Sequence, residues 1–327
     1  MPTTNPVYIS IIIPVFNTSA YLNKCLDSVI CQTYRLFEVI IINDGSTDNS
    51  LEICEKYKKS DIRIKIISQP NSGISNALNN GISAASGDWL CFVDSDDWID
   101  VNALEGLVNK IKKFPEVDLI RSFCRFMHGN KVKEQNSVPQ KDCIYSPIDF
   151  IAADKVGGFT HSLFVKRKIV TDNQLKFDTE LKIKADMVLN FQCVLNSQYI
   201  LMSDFVYYNY LIRNDSIIQT TDKNKMLDHL RAPELISEFA KNNNEIEVKK
   251  SVKRYLFRGL ESYIMACKNY LIKQNKIDFN YRQNIINFIN KQKLKFVDMP
   301  VRLLAVFFIS IIDIRVLNLM QKLINKL

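Results

Sequence analysis

The sequence predicts an α/β fold with a doubly wound, mostly parallel β-sheet and a helical C-terminal extension. Over residues 8–99, short β-branched apolar runs alternate with segments of helical spacing. This alternation is typical of βαβ units in a parallel sheet. Three of the apolar runs are followed directly by polar clusters, as at the ligand-binding strand ends of such sheets. From residue 223 onward the apolar residues show a helical pattern.

The N-terminal elements are clearly separated from one another. Residues 8–16 form an apolar run that predicts a strand buried on both faces. Residues 17–19 then offer N-cap side chains, and a helix is predicted to about Gln32. Further strands are predicted at 37–42, 62–67 and 89–93, and helices at 51–57 and 74–85.

The middle of the chain has a weaker pattern. Residues 117–127 and 159–165 resemble strands, and residues 129–147 form a polar excursion between them. Apolar residues at 187, 191 and 194 suit a helix. That helix would carry Asp186 in its first turn, near the positive end of the helix dipole.

The composition is that of a folded protein, with 47% hydrophobic and 24% charged residues among 327. The eight cysteines are scattered without a Cys-x-x-Cys pair, which predicts small buried side chains in a reducing compartment. The three histidines are far apart in sequence, which argues against a histidine-based zinc site. The N-terminus lacks the pattern of a signal peptide, so we expect a cytoplasmic protein.

An acidic turn follows the fourth predicted strand, where Asp94, Asp96 and Asp97 place three carboxylates within four positions. Such carboxylates repel one another unless a cation lies among them, and their hard oxygen ligands suit Mg2+ or Mn2+. The alternative is a solvated acidic turn that caps the next helix. Because parallel strands end at one rim, the predicted topology brings Asp44 to the same rim as this turn, which favours a functional site.

Two common nucleotide-binding motifs are missing from the sequence. Gly-x-Gly-x-x-Gly does not follow the first strand, and Gly-x-x-x-x-Gly-Lys-Ser/Thr does not occur. These absences disfavour a dinucleotide oxidoreductase and a P-loop NTPase. Acidic residues together with a divalent cation could neutralise a diphosphate instead.

Five successive motifs resemble those of family 2 glycosyltransferases. They are Ser10-Ile-Ile-Ile-Pro-Val-Phe-Asn17, Leu26-Asp-Ser-Val-Ile-Cys-Gln-Thr-Tyr34, Glu38-Val-Ile-Ile-Ile-Asn-Asp-Gly-Ser-Thr-Asp48, Asn71-Ser-Gly-Ile-Ser75 and Phe92-Val-Asp-Ser-Asp-Asp-Trp98. The resemblance implies a GT-A fold and inverting transfer of a sugar from a nucleotide-sugar donor. It implies a glycosyltransferase domain over residues 1–222, with a nucleotide-sugar-binding half at 1–100 and an acceptor half at 101–222. Residues 223–327 are expected to form a helical, basic and apolar region.

The family motifs also imply roles for individual residues. Asp96, with Asp94 beside it, is implied as the ligand of Mn2+ or Mg2+ in an Asp-x-Asp motif. The resemblance implies a donor-nucleotide site formed by Pro14, Val15, Asn17, Asp44, Asp94, Ser95 and Asp96.

The sequence departs from the family pattern in two places. Members often carry Ala-Arg-Asn where this chain has Ala77-Leu78-Asn79, so a cationic donor contact is expected to be missing or supplied elsewhere. Members often begin the acceptor-side helix with Glu-Asp, whereas this chain has Ala185-Asp186. Asp186 keeps the second carboxylate and is expected to be the general base that deprotonates the acceptor hydroxyl. The alternative is a merely favourable residue at a helix N-terminus.

Residues 206–217 resemble the tyrosine-rich strand and Arg-x-x-Ser segment that end the catalytic domain in many members. Arg213 is expected to reach the leaving diphosphate, because a guanidinium can bind two phosphate oxygens at once. The alternative is a surface arginine on a loop.

The C-terminal quarter combines basic and apolar features. Residues 249–327 carry 16 Lys and Arg against 4 Asp and Glu, and residues 256–271 show an apolar stripe. Residues 301–320 are strongly apolar, but charged residues interrupt them before a bilayer-spanning length is reached. This segment could pack on the protein or lie in the membrane surface, with nearby lysines drawn to anionic lipid. Nucleic acid is not an expected partner, because zinc-ligand sets and helix-turn-helix punctuation are missing.

Together these features predict a metal-dependent, inverting glycosyltransferase. It would move one hexose or N-acetylhexosamine from a UDP-sugar to a saccharide acceptor, expected to be lipid-linked. The Gln-x-x-Arg-Trp segment of processive synthases is absent, which favours single transfers. The resemblance points to bacterial O-antigen, capsule or exopolysaccharide assembly, in the cytoplasm or peripherally on the inner face of the membrane. A sugar-phosphate nucleotidyltransferase and a non-catalytic nucleotide-sugar-binding or membrane scaffold are the alternatives.

Overall fold

The chain divides into two compact units, residues 1–219 and 220–327. The structure is a computed structural model that describes residues 6–129, 131–135, 139–157, 163–213, 223–274 and 281–294. The described part of the first unit contains one large sheet, and its strands are β1 (Ile9–Val15), β2 (Phe37–Asp44), β3 (Ile64–Gln69), β4 (Trp89–Phe92), β5 (Trp98–Ile99), β6 (Leu119–His128), β7 (Lys131–Gln135), β8 (Cys143–Tyr145), β9 (Leu163–Lys166) and β10 (Ile200–Leu211).

Helices cover this sheet or form the second unit. Those of the first unit are α1 (Ser19–Ile30), α2 (Ser50–Ser60), α3 (Ile74–Ala84), α4 (Ala103–Lys113), α5 (Pro147–Ala152), α6 (Arg167–Asp172) and α7 (Ala185–Asn196). Those of the second unit are α8 (Lys223–Phe239), α9 (Ile246–Gln274) and α10 (Tyr281–Lys291).

The N-terminal part of the sheet is parallel, in the order β3-β2-β1-β4. Every residue of β1 and β2 is buried, which explains why their sequences are almost continuously apolar. Alternate β1 residues such as Ile11 pack in one core with Leu22 and Leu26 of α1. On the other face, a β-carbon at Gly81 of α3 would collide with Ile12. Helices therefore pack on both faces, and the predicted doubly wound, mostly parallel architecture is confirmed.

Beyond β4 the sheet becomes mixed. Strand β9 is antiparallel to both β4 and β6, whereas β6 and β10 are parallel to each other. The two-residue strand β5 pairs antiparallel with β10. This pairing returns the chain after the acidic turn to the sheet, so that the turn is held at both of its ends.

Several predicted boundaries differ from the structure. The strand predicted at 62–67 begins at Ile64, because Ile62 is 99% exposed and Asp61 binds both the backbone and the guanidinium of Arg63. The polar excursion predicted at 129–147 contains β7, β8 and the start of α5. The strand predicted at 159–165 corresponds to β9, and residues 158–162 lie outside the described residues.

The second unit has its own hydrophobic core. Five members of the predicted stripe on α9 are buried, namely Leu256, Leu260, Tyr263, Ile264 and Cys267. They pack with Met226 of α8 and Phe288 of α10. The described helices include none that is long and apolar enough to cross a membrane. The apolar segment predicted at 301–320 lies outside the described residues.

Candidate functional site

Asn17 joins the end of β1 to the turn that follows β2. Its backbone adopts a left-handed conformation, with φ 51°, which asparagine tolerates better than most residues. Its side-chain Oδ1 accepts hydrogen bonds from the backbone N–H groups of Thr47 at 2.8 Å and Asp48 at 3.4 Å. Its predicted place on the donor rim is thus accompanied by a structural role in shaping that rim.

Asp44 ends β2 and binds the loop that follows β3. Its Oδ1 accepts from the backbone N–H of Ser72 and from the Gln69 amide, both at 2.8 Å, and its Oδ2 accepts from the Gly73 N–H at 2.9 Å. Gly45 follows with φ 71°, and a β-carbon there would lie 2.7 Å from the Asn71 backbone nitrogen. A glycine is therefore required where this loop approaches the strand end.

Pro14 and Val15 are the last two residues of β1, where they pair with Ile42 and Asn43 of β2. The backbone carbonyl of Ile12 accepts from the Val93 N–H at 3.0 Å and therefore points towards β4. The backbone nitrogen of Pro14, two residues later, points to the same side. The β4 pairing ends at Ile12, and the missing N–H of Pro14 leaves no ladder bond unmade.

The acidic turn, residues 94–97, is fastened to its neighbours by side chains. Ser95 accepts a hydrogen bond from Thr18 at 3.0 Å. The Tyr208 hydroxyl accepts from the Asp94 N–H at 3.0 Å and donates to Asp97 Oδ2 at 2.8 Å. Asp97 Oδ1 accepts from the Leu211 N–H at 2.7 Å. Strand β10 therefore holds the turn through both backbone and side-chain contacts.

Burial and mutual repulsion disfavour the ionised carboxylates of this turn, although the charge of Arg213 opposes part of this effect at Asp94. Burial, together with the charges of Asp96 and Asp186, raises the pKa of Asp94 to about 7. Burial and the charges of Asp94 and Asp96 also raise the pKa of Asp97. Neighbouring like charges disfavour simultaneous ionisation.

Asp186 lies in the first turn of α7, as predicted. Lys184 precedes the helix in a left-handed conformation with φ 65°, and Asp186 Oδ1 accepts from the Met187 N–H at 2.8 Å. Burial raises the pKa of Asp186 to about 6, and the charges of Arg121 and Lys184 oppose part of that rise. Because its charge is felt by Asp94, the fold brings the predicted acceptor-side carboxylate to the acidic turn.

Arg213 brings a cation to the same place. Its guanidinium pairs with Asp96 at 2.6 Å, and both side chains are 19% exposed. It also lies over the ring of Tyr21, 4.9 Å from the centroid. Leu78, which stands where family members often have arginine, is buried. The structure therefore places the cation of Arg213 beside the acidic turn.

Sequence reasoning missed the parts played by Asp97, Tyr208 and Thr18. The signal that could have found Tyr208 is the run of aromatic and polar residues in β10, since a buried tyrosine generally finds a hydrogen-bond partner. Asp97 is 1% exposed and Tyr208 is fully buried. The hydrogen bonds of these two residues help to fix the turn that carries Asp94 and Asp96.

The residues present fit a divalent cation in part. The carboxylate oxygens of Asp94 and Asp96 are hard ligands of the kind that Mg2+ and Mn2+ take, and a cation would offset the repulsion within the turn. Among the described residues, no three His, Cys, Asp or Glu side chains are grouped to hold a metal ion. A cation bound here would therefore need further oxygen ligands, such as those of a diphosphate.

Comparison with known proteins identifies relatives. The model of the family "Glycosyl transferase family 2" matches residues 10–172. The putative glycosyltransferase EpsH of Bacillus subtilis is 30% identical over 243 residues, which is 73% of this chain and 71% of EpsH. Glycosyltransferase GlyA of Streptococcus pneumoniae is 49% identical over 106 residues, but these make up 32% of this chain and only 15% of GlyA.

Solved structures show the same fold. Staphylococcus aureus TarS 1–349 in complex with UDP-GlcNAc superposes with a TM-score of 0.69 at 22% identity, covering 91% of this chain and 83% of that one. The mannosyltransferase PcManGT from Pyrobaculum calidifontis, in complex with GDP-Man and Mn2+, has a TM-score of 0.58 at 14% identity, covering 94% and 86%. These neighbours are glycosyltransferases of the GT-A fold, and that predicted fold is confirmed.

Proposed function

The chain belongs to glycosyl transferase family 2, and from that membership we propose that it transfers one hexose or N-acetylhexosamine from a UDP-sugar to a saccharide acceptor, with inversion. The observation that carries the proposal is the meeting of the acidic turn, Asp186 and Arg213 at one rim of the sheet. The UDP-GlcNAc complex of TarS supports the choice of a UDP-sugar as donor.

The acceptor hydroxyl attacks the anomeric carbon, so that a glycosidic bond forms as the bond to the diphosphate oxygen breaks. Asp186 takes the hydroxyl proton and thereby strengthens the nucleophile. A single displacement of this kind converts an α-linked donor into a β product. The nucleoside diphosphate leaves with both bonding electrons, and Arg213 lies close enough to the turn to neutralise part of its charge.

Asp94 and Asp96 would hold Mn2+ or Mg2+, which supplies positive charge to the diphosphate when bound. Asp96 also pairs with Arg213. Pro14, Val15, Asn17, Asp44 and Ser95 then form the proposed nucleoside site along the ends of β1, β2 and β4. The Mn2+ in the PcManGT complex supports metal use in this fold.

We assign the acceptor to a lipid-linked saccharide of a surface polysaccharide, reached from the cytoplasmic face of the membrane. This assignment rests on the sequence resemblance and on the basic C-terminal quarter, in which residues 249–327 hold 16 Lys and Arg against 4 Asp and Glu. The membrane attachment and the single-transfer mode are parts of the same proposal.

The test is release of nucleoside diphosphate from a panel of UDP-, GDP- and dTDP-sugars, with Mn2+ or with EDTA, using water as the slow acceptor. We expect metal-dependent UDP release from one UDP-sugar and none in EDTA. Binding of UDP-sugars without turnover, even when saccharide acceptors are added, would instead favour the non-catalytic scaffold. Release that is equally fast in EDTA would remove the metal from the proposal.

A further inference from the structure

Asn79 lies on α3, in the motif where this chain departs from its family, and it contacts a segment 98 residues away. Its side-chain Nδ2 donates to the carbonyl of Phe177 at 2.9 Å, and its Oδ1 accepts from the N–H of the same residue at 2.9 Å. The amide thus satisfies both backbone groups of one residue, as a neighbouring β-strand would. Neither half of this contact can be kept by an apolar side chain.

Phe177 is buried and packs against β4. Its side chain is 2% exposed, and its ring lies edge-on to that of Phe92, with centroids 5.9 Å apart. Phe92 is the last residue of β4, and only Val93 separates it from the acidic turn. The Asn79 contact therefore pins the segment after α6 against the strand that carries the acidic turn.

The segment from Phe177 leads directly to the acceptor-side carboxylate. Residues 177–184 form neither helix nor strand, and their path is set by local contacts. Asp178 Oδ1 accepts from the backbone N–H groups of Glu180 at 2.8 Å and Leu181 at 3.3 Å, and Leu181 is 2% exposed. The left-handed Lys184 then turns the chain into α7, where Asp186 is the second residue.

Asn79 lies on a helix with a buried face. The buried face of α3 includes Ala77, Leu78 and Ile82. The helix begins at the loop whose Ser72 and Gly73 N–H groups bind Asp44. One helix thus contacts the proposed nucleoside rim at its start and the Asp186 segment at its middle.

We propose that Asn79 is a positioning residue that fixes the distance between Asp186 and the donor site. This inference rests on the proposed role of Asp186 as base. Because a displacement of about 1 Å can lower a rate by about 100-fold, loosening Phe177 should lower turnover while leaving the donor site intact.

The test compares Asn79→Leu and Asn79→Asp with wild type in the full-length protein. Asn79→Leu removes both hydrogen bonds, whereas Asn79→Asp keeps the acceptor for the Phe177 N–H. Ser83→Ala is the matched control on the same helix, since the exposed Ser83 hydroxyl donates to the Asn79 carbonyl rather than to Phe177. Hydrogen exchange is followed by mass spectrometry, and kcat and KM are measured for UDP release from UDP-GlcNAc with water as acceptor.

For Asn79→Leu we expect faster exchange confined to residues 177–187, a kcat lowered by about 10- to 100-fold, and a donor KM unchanged within about twofold. Asn79→Asp should fall between Asn79→Leu and wild type, and it carries the same test if Asn79→Leu does not fold. Unchanged exchange, an unchanged kcat, or a rise in KM without loss of kcat would overturn the inference. If wild type releases no UDP from UDP-GlcNAc, this sugar is not transferred to water, and the exchange experiment alone still decides whether Asn79 holds the segment.

Discussion

Two carboxylates that follow strands β2 and β4, at the same edge of the sheet, have opposite surroundings. Asp44 is 3% exposed and accepts three hydrogen bonds, one from Gln69 at the end of β3 and two from the loop that follows. Asp94 lies among other acids, and burial together with the charges of Asp96 and Asp186 raises its pKa to about 7. A carboxylate at this rim can therefore stabilise the loop around it, as Asp44 does, or be costly to ionise, as Asp94 is. Binding of a cation or a proton should therefore be more favourable at Asp94 than at Asp44.

The largest effect is expected from Asp186→Asn, since Asp186 is one of the acids whose charges act on Asp94. The change keeps the size of the side chain and removes its ability to accept a proton, so kcat should fall by about 10²- to 10⁴-fold. Steady-state sugar transfer measures this loss, and UDP affinity should stay unchanged. Asp178→Asn is the matched control, because asparagine can still accept the two turn hydrogen bonds. A kcat of Asp186→Asn within a few-fold of wild type would show that another group is the base.

The second prediction concerns stability. Replacing Asp44 and replacing Asp94 should change the free energy of unfolding in opposite directions. Asp44→Asn places an amide against N–H donors and should lower the free energy of unfolding by about 1–3 kcal/mol. Asp94→Asn removes one of the crowded charges and should raise that free energy at pH 8. Urea denaturation of the metal-free variants measures both. If both substitutions destabilise the protein alike, the contrast between the two sites is wrong.

The smallest effect is a pH dependence of the metal-free protein. The pKa values of Asp94 and Asp186 are raised to about 7 and about 6. The folded state therefore binds protons that the unfolded state has released, and stability should rise as pH falls from 8 to 6. We expect Tm to increase by a few degrees, at about 2–4 °C per kcal/mol, and Asp94→Asn to reduce that increase. Glu38 does not interfere: although burial opposes the change, hydrogen bonds from Lys65 and Ser10 lower its pKa to about 2.

The parallel part of the fold was predictable because burial on both faces imposes a strong pattern. The strands β1 and β2 are continuous apolar runs that end in polar turns, and few other elements produce that sequence. Strand β5 has only two residues, so its identity depends on its partner Tyr208 and not on its own composition. Strand β8 was missed for the same reason. Its central residue Ile144 is exposed, and it forms a strand because it pairs with β10.

The candidate site was predictable only where its chemistry lies in one short stretch. Asp94 and Asp96 were found because acids in a turn after a strand are conspicuous. The pairing of Arg213 with Asp96 joins residues 117 positions apart, and the contact of Asn79 with Phe177 joins residues 98 apart. Composition and periodicity describe neighbours in sequence, so contacts of this kind appear only when the chain is folded.

The position of β9 has a consequence for how this chain folds. Strands β1 to β4 pair within residues 9–92, but the free edge of β4 is covered by residues 163–166. During synthesis β4 therefore remains an open sheet edge until β9 has left the ribosome. Open edges pair readily with other chains, and pairings between distant residues form slowly. Aggregation during expression should thus be governed by the time between the synthesis of β4 and the arrival of β9.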